Sequence, residues 1–301
     1  MHIPIEDVIK RIEDWKDREV RYEPLGGGIT NHNYVVHVNS KPFVVRIPGA
    51  GTELFIDRDN ELDCASAAGK TAVSPEVIYH LKPENISVVQ FIRGRTLTTA
   101  EISSSNQLIK RIVQAIMTIH DKAVFHSIFD PFDTIRRYRG YGKEYNAPLP
   151  DDVEWMFSLA DSIESAMVRN RPRNVACHND FLSENFLDDG EKIWIIDWEY
   201  GGMGDPYFDL GDFAVEHPFS REQEKMIIAE YCRGKNRGHS ASLCRMLLYK
   251  IVSDLWWGIW AMIQHTVSKI DFDFYTYGNN RFERLRRNAK DSNFEAWLQE
   301  I

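Results

Sequence analysis

Between His178 and Asp197 the chain carries three oxygen-bearing side chains that can act together only if the backbone turns back on itself. The run His178-Asn179-Asp180-Phe181-Leu182-Ser183-Glu184-Asn185 sets an acid and an amide five residues apart. Twelve residues after Asn185 comes Asp197, directly behind the apolar run Ile193-Trp194-Ile195-Ile196. Short strands around 185–187 and 193–196 flank the turn Asp188-Asp189-Gly190, which predicts a β-hairpin. A loop followed by a hairpin returns Asp180, Asn185 and Asp197 to one edge of a cleft.

That combination has a chemical meaning. Phosphoryl transfer needs cations to neutralise phosphate charge, and therefore hard oxygen ligands facing the phosphates. Asn185 and Asp197 can supply those oxygens to Mg²⁺, and Asp180 can accept the proton of an attacking hydroxyl. The spacing is also the H-x-D-x-x-x-x-N of a kinase catalytic loop.

Upstream, the chain reads as a small lobe dominated by sheet. Ile5, Val8, Ile9, Ile12 and Trp15 predict an amphipathic helix over 5–15. Three β-branched and aromatic runs at 20–25, 34–38 and 43–47, divided by Gly, Asn and Pro, predict an antiparallel meander. A helix over 53–70 and a strand over 88–92 follow, so residues 1–93 form the expected N-terminal lobe. Residues 94–301 form the second, mainly helical lobe. It opens on a capping box at Thr98-Thr99-Ala100-Glu101, with Leu108, Ile112, Val113, Ile116 and Ile119 as the stripe behind it. Residues 130–150, rich in Pro, Gly, Tyr and Arg, read as a long ordered loop, 152–170 as a helix, and the chain from about 207 as mostly helical. The fold class expected is α+β with two lobes.

Composition narrows the partners. At 301 residues with 43% hydrophobic and 27% charged residues, the chain can bury a core large enough to offset chain entropy. Thirty-six Lys and Arg against 45 Asp and Glu leave a net charge of −9, which disfavours a nucleic-acid partner. Cys64, Cys177, Cys232 and Cys244 lack C-x-x-C spacing and read as free thiols in a reducing compartment. Acids at Glu6 and Asp7 do not suit a signal peptide, and the uncharged stretch between Asp254 and Lys269 is too short for a membrane span. A cytoplasmic enzyme or binding protein is expected; the oligomeric state stays open.

Two further elements fit a nucleotide. Gly26, Gly27 and Gly28, with Thr30 and Asn31 behind them, lie between two predicted strands, where backbone N–H groups can approach phosphate oxygens. No Gly-Lys-Ser/Thr follows, so this is not a Walker A loop. Arg46 ends a strand where a cation can pair with phosphates and with an acid on the next helix, for which Glu61 is the candidate among Glu53, Asp57 and Asp59. Gln90 and Ile92, at the predicted lobe junction, would offer backbone groups to adenine.

The order of these motifs resembles the choline/ethanolamine kinase family, relatives of the aminoglycoside phosphotransferases with a protein-kinase-like fold. The likeness runs from Leu25 to about Arg287 and is carried by LGGGITN (25–31), FVVRIPG (43–49), CHND (177–180), IDWEYGGMGDPYFDLG (196–211) and WWGIWAMIQHTVSKIDFDFYTYGNNRF (256–282). Arginine at 46 is that family's habit, and the Ser-Glu-Asn form around Glu184 resembles its bacterial members. The resemblance implies ATP-dependent, Mg²⁺-assisted phosphorylation of a small amino-alcohol, choline first. It implies an acceptor pocket of Asp180, Glu199, Tyr200, Trp257, Trp260 and Tyr277, with Glu216 as an acid for the cation.

Read without the resemblance, Trp257 and Trp260 share a helix face, which suits a core as well as a cage, and Trp256 can face the core. The alternatives are a kinase of the same fold for ethanolamine, thiamine or an aminoglycoside, and an inactive nucleotide-binding scaffold.

Overall fold

The computed structural model describes residues 3–26, 31–49, 51–234 and 238–301. Gly27, Gly28 and Thr30, three of the expected phosphate-loop residues, lie outside the described residues.

Helix α1 (Ile5–Lys10) and a 3-10 turn (Glu13–Trp15) replace the single helix expected over 5–15. Ile12 adopts an extended conformation between them, yet Ile5, Val8, Ile12 and Trp15 are still all buried. They lie under an antiparallel sheet of β1 (Val20–Leu25), β2 (Asn31–Val38), β3 (Lys41–Pro48), β4 (Val77–Leu81) and β5 (Ile86–Gln90), in the order β1-β2-β3-β5-β4. The first three strands are the expected meander. Asn39 and Ser40, with φ of 46° and 66°, form the tight turn between β2 and β3, a connection whose twist matches that of the strands. Between β3 and β4 runs α2 (Arg58–Gly69), capped by the Asp57 carboxylate on the N–H groups of Asp59 and Asn60. One face of α2 leaves this lobe, since Cys64 and Ala68 are buried in the larger core of the helical part.

Beyond the sheet come β6 (Arg95–Thr96), α3 (Thr99–Ser104), α4 (Asn106–Lys122), α5 (Pro131–Glu144) and α6 (Val153–Met167). The expected capping box is present at Thr98 and Glu101, but Ser105 is extended, ends α3 and caps α4 through the Leu108 N–H. The segment read as a loop over 130–150 is largely α5. Pro131 occupies the first turn, where its missing N–H costs nothing, and Phe132, Ile135 and Tyr138 make a buried stripe. The Pro and Gly content hid that stripe.

The chain continues through β7 (Val175–Cys177), β8 (Phe186–Asp188), β9 (Ile193–Ile195) and β10 (Gly202–Gly204). β8 and β9 form the expected hairpin, with β6 on its edge, and β7 pairs with β10. Helices α7 (Pro206–Glu216), α8 (Arg221–Tyr231), α9 (His239–Val267), α10 (Phe274–Ala289) and α11 (Phe294–Glu300) complete the fold. α9 is the axis of this part and packs against α5, α7, α10 and α11. By length and composition it could cross a bilayer, which the sequence reading did not anticipate, but its apolar residues are packed inside the protein. The result is an antiparallel N-terminal lobe on a helical C-terminal part, as expected.

Candidate active site

The loop from His178 to Asn185 is held from behind by two acids on α7. Asp209 and Asp212 are three residues apart, so both carboxylates face the loop. Asp209 accepts the N–H of His178 at 2.9 Å and of Asn179 at 2.7 Å. Asp212 accepts the N–H of Phe181 at 2.7 Å. From the other side, His178 donates Nε2–H to the Ile196 carbonyl at 2.9 Å and accepts the Asp180 N–H at Nδ1, 3.2 Å away. Burial lowers the pKa of this imidazole, which suits a neutral ring with one donor and one acceptor nitrogen. Asn179 bonds the Tyr200 carbonyl at 2.7 Å. Asn179 and Asp197 both have φ near +70°, in the left-handed region that non-glycine residues occupy only when surroundings enforce it.

These bonds bring Asp180, Asn185 and Asp197 to one edge. Asn185 Nδ2 donates to the Asp180 carbonyl at 2.8 Å and approaches its Oδ2 at 3.4 Å, which leaves Oδ1 as the acceptor of the amide. Burial pushes the Asp180 carboxyl well above its ordinary range, and the charges of Asp212, Asp197 and Glu199 push it further, with Arg281 opposing.

Opposite lies a charged array that the sequence showed only in part. Arg46, near the end of β3, reaches Asp197 Oδ1 at 2.6 Å and Glu61 Oε1 at 3.3 Å. Of the rival acids, Asp57 caps α2, Asp59 pairs with exposed Lys82, and Glu53 is exposed. Arg58, unremarked in the sequence, bonds Glu61 at 2.6 Å, Glu199 at 3.1 Å and Thr52 at 2.7 Å. Asn31, the one described residue after the glycine run that was singled out, donates to Glu199 at 2.8 Å. Burial disfavours the Arg46 charge, but Asp197, Glu61 and Glu199 outweigh it, and its pKa is raised. Glu61, Asp197 and Glu199 present carboxylate oxygens within 4.8 Å of one another, an oxygen set suited to a hard divalent cation. At the lobe junction the Gln90 N–H is already bonded to the Glu76 carbonyl at 2.8 Å, and the Ile92 carbonyl accepts the Gly94 N–H at 3.0 Å. Gly26 follows β1, and no atom of the described residues lies within 4 Å of where its Cβ would be.

The aromatic residues assemble beside Asp180. Tyr200 meets Trp257 edge-on at 5.1 Å between centroids, Trp257 meets Trp260 at 5.3 Å, and Trp260 meets Tyr277 at 6.3 Å. Trp256 is fully buried against Phe129 and Phe208, and it also meets Tyr200 edge-on at 5.4 Å and packs on Trp257 at 4.4 Å. Glu216 is bound by Arg281, with an Nη2–Oε2 distance of 2.8 Å, and by Arg284 at 3.3 Å, so its charge is met within the protein. Arg281 also reaches the Tyr277 hydroxyl. Burial and Arg284 bring the Arg281 pKa down to about 9. Asp209, Asp212, Arg58 and Arg281 were missed in the sequence. Only the i, i+3 spacing of Asp209 and Asp212 could have signalled a paired function.

Comparison with known proteins identifies the family. A model of the phosphotransferase enzyme family matches residues 21–242, and one described as choline/ethanolamine kinase matches residues 220–285. The crystal structure of a choline/ethanolamine kinase family protein from Mesorhizobium loti superposes with a TM-score of 0.85 at 32% identity, covering 98% of this chain and 97% of that one. Protein LicA of Haemophilus influenzae is 25% identical over 79% of this chain and 72% of its own length. A probable ethanolamine kinase A of Dictyostelium discoideum is 27% identical over 89% of this chain and 85% of its own.

Proposed function

The chain belongs to the choline/ethanolamine kinase family of phosphotransferases and is a kinase acting on an alcohol group, and we propose that its acceptor is choline, with ATP as donor and Mg²⁺ as cofactor. The observation that carries the choline reading is the run of aromatic faces from Tyr200 through Trp257 and Trp260 to Tyr277, next to Asp180. A trimethylammonium group donates no hydrogen bond, so aromatic faces hold it, at roughly 0.5–2 kcal/mol per contact. A primary ammonium wants hydrogen-bond acceptors instead, and Glu216, the acid expected to serve here, is already engaged by two arginines.

In this reading Asp180 accepts the hydroxyl proton as the choline oxygen bonds the γ-phosphorus and the bond to the β–γ bridging oxygen breaks, releasing ADP. A carboxylate whose pKa is raised by burial is a stronger base than an exposed one. Asn185 Oδ1, Asp197 and Glu199 are the residues that would hold Mg²⁺, which supplies neutralisation of phosphate charge. The cation that meets Asp197 in the structure is Arg46, so the carboxylate is already placed to face positive charge. Arg46 and the glycine run (26–28), with Thr30 and Asn31, belong to the phosphate side, and Gln90 and Ile92 to the adenine side. The nucleotide lobe is then 1–93 and the acceptor lobe 94–301. The four free cysteines suit a cytoplasmic location.

Steady-state kinetics with labelled ATP and a panel of choline, ethanolamine, thiamine and an aminoglycoside test the proposal. Choline is expected to have the highest kcat/KM, at least tenfold above ethanolamine, a margin of about 1.4 kcal/mol. A higher value for ethanolamine overturns it.

A further inference from the structure

Asp212 makes contacts that the clamping of the loop does not require. Its side chain is fully buried, and among the described residues its hydrogen bonds come from three neutral donors. Oδ2 takes the Phe181 N–H at 2.7 Å, next to Asp180. Oδ1 takes the Ser253 hydroxyl at 2.6 Å and the indole Nε1–H of Trp257 at 3.2 Å. A loop anchor needs only the first of these. The third ends on an aromatic ring of the acceptor site, so one carboxylate joins the loop bearing the proton acceptor to the wall that faces the acceptor's cationic end.

The chemistry of that third bond is specific. An indole that donates its N–H to a carboxylate gains electron density, and its faces then attract a cation more strongly. The other acids near this end cannot do the same. Glu216 is held by Arg281 and Arg284, and Asp254 is held by Arg284 at 2.6 Å. Asp212 is the carboxylate whose hydrogen bond reaches the ring. Low local polarity in the buried site increases the effect, because little solvent screens it.

We propose that Asp212 is a specificity-determining residue that acts through Trp257: its carboxylate fixes the indole and enriches its face, and so selects a cationic acceptor over an uncharged one of the same shape. The inference rests on the choline reading. Its test uses the full-length enzyme with ATP and two acceptors, choline and 3,3-dimethylbutan-1-ol, in which carbon replaces the charged nitrogen. The measured quantity is the ratio of their kcat/KM values in wild type, Asp212→Asn, Trp257→Phe and the double variant.

Asp212→Asn is expected to lower the ratio by about 2- to 5-fold, mainly through the choline KM, because the ring remains and only a part of its cation–π attraction, about 0.5–1 kcal/mol, is lost. Trp257→Phe, which keeps a ring without the N–H, is expected to lower it as well, and the double variant no further than Trp257→Phe alone. Equal losses on both acceptors in Asp212→Asn would reduce Asp212 to a loop anchor and overturn the proposal. So would additive effects in the double variant. If Asp212→Asn does not fold, an unchanged ratio in Trp257→Phe overturns it on its own. A wild-type enzyme that ignores choline sinks the functional reading, whereas one that uses choline with a ratio insensitive to these changes sinks only this inference.

Discussion

Burial raises the proton affinity of Asp180, and the neighbouring charges of Asp212, Asp197 and Glu199 raise it again, against the pull of Arg281. The base proposed at this position can be removed with little change of shape. Asp180→Asn is expected to lower kcat by about 10²- to 10⁴-fold while leaving the acceptor KM within a few-fold, as steady-state kinetics would show. A kcat near that of wild type would remove Asp180 from the chemistry. At this scale the sequence was informative where partners are near in the chain. Asp180, Asn185 and Asp197 announced themselves by spacing. Arg58 and Asp209 did not, because Glu199 lies 141 residues from Arg58, and the two N–H groups that Asp209 binds lie about 30 residues before it. Side-chain pairing over such separations is decided by the fold, and no local pattern carries it.

Helices α9 and α10 place the aromatic wall, and glycine lets them approach. A Cβ at Gly258 would stand 2.6 Å from the ring of Phe282, which is fully buried, and one at Gly278 would meet the Gly258 carbonyl at 3.1 Å. Gly258→Ala gains about 1 kcal/mol in helix propensity but overpacks the contact, at about 1–3 kcal/mol. A net loss is expected, with a lower Tm and a higher choline KM, because Trp257 and Trp260 flank the strained residue. Gly140→Ala, at an exposed position of α5 with open space around its Cβ, is expected to raise stability by about 0.5–1 kcal/mol. Thermal unfolding of the pair tests the argument, and a stabilised Gly258→Ala would refute it. The hairpin, the meander and the capped helices were legible as local periodicity and turn chemistry. α5 was not, since its Pro131 and glycines resemble loop punctuation until their positions within the helix are known.

At the scale of the whole molecule, several acids are buried among the described residues, Asp205, Asp209, Asp212 and Asp254 among them. Asp254 is fully buried and pushed up to about 7 by burial, with Arg284 opposing the rise. Unfolded, it titrates near the ordinary carboxylate value of about 4, so between about pH 4 and 7 the folded protein holds the extra proton. Stability from this group is therefore highest at the acid end of the window and falls as the pH rises through it. Asp254→Asn lacks the effect. The stability of wild type minus that of the variant is expected to drop by on the order of 2–4 kcal/mol from pH 4 to 7.5, read from denaturant unfolding at each pH. A difference independent of pH would show that the carboxyl titrates normally. The two-lobed plan was readable from the change of hydrophobic period along the chain. The division of the cores was not, because α2 lies within the first 93 residues yet buries Cys64 and Ala68 with the helical part.

That rooting of α2 makes Arg46 a straddling residue. Its strand is seated in the upper core, while Glu61 and Asp197 ride on the lower body. Any rocking of the sheet is therefore registered as a shear at the Arg46 guanidinium and at the Asn31–Glu199 bond beside it, and an anion that entered here would compete for that grip.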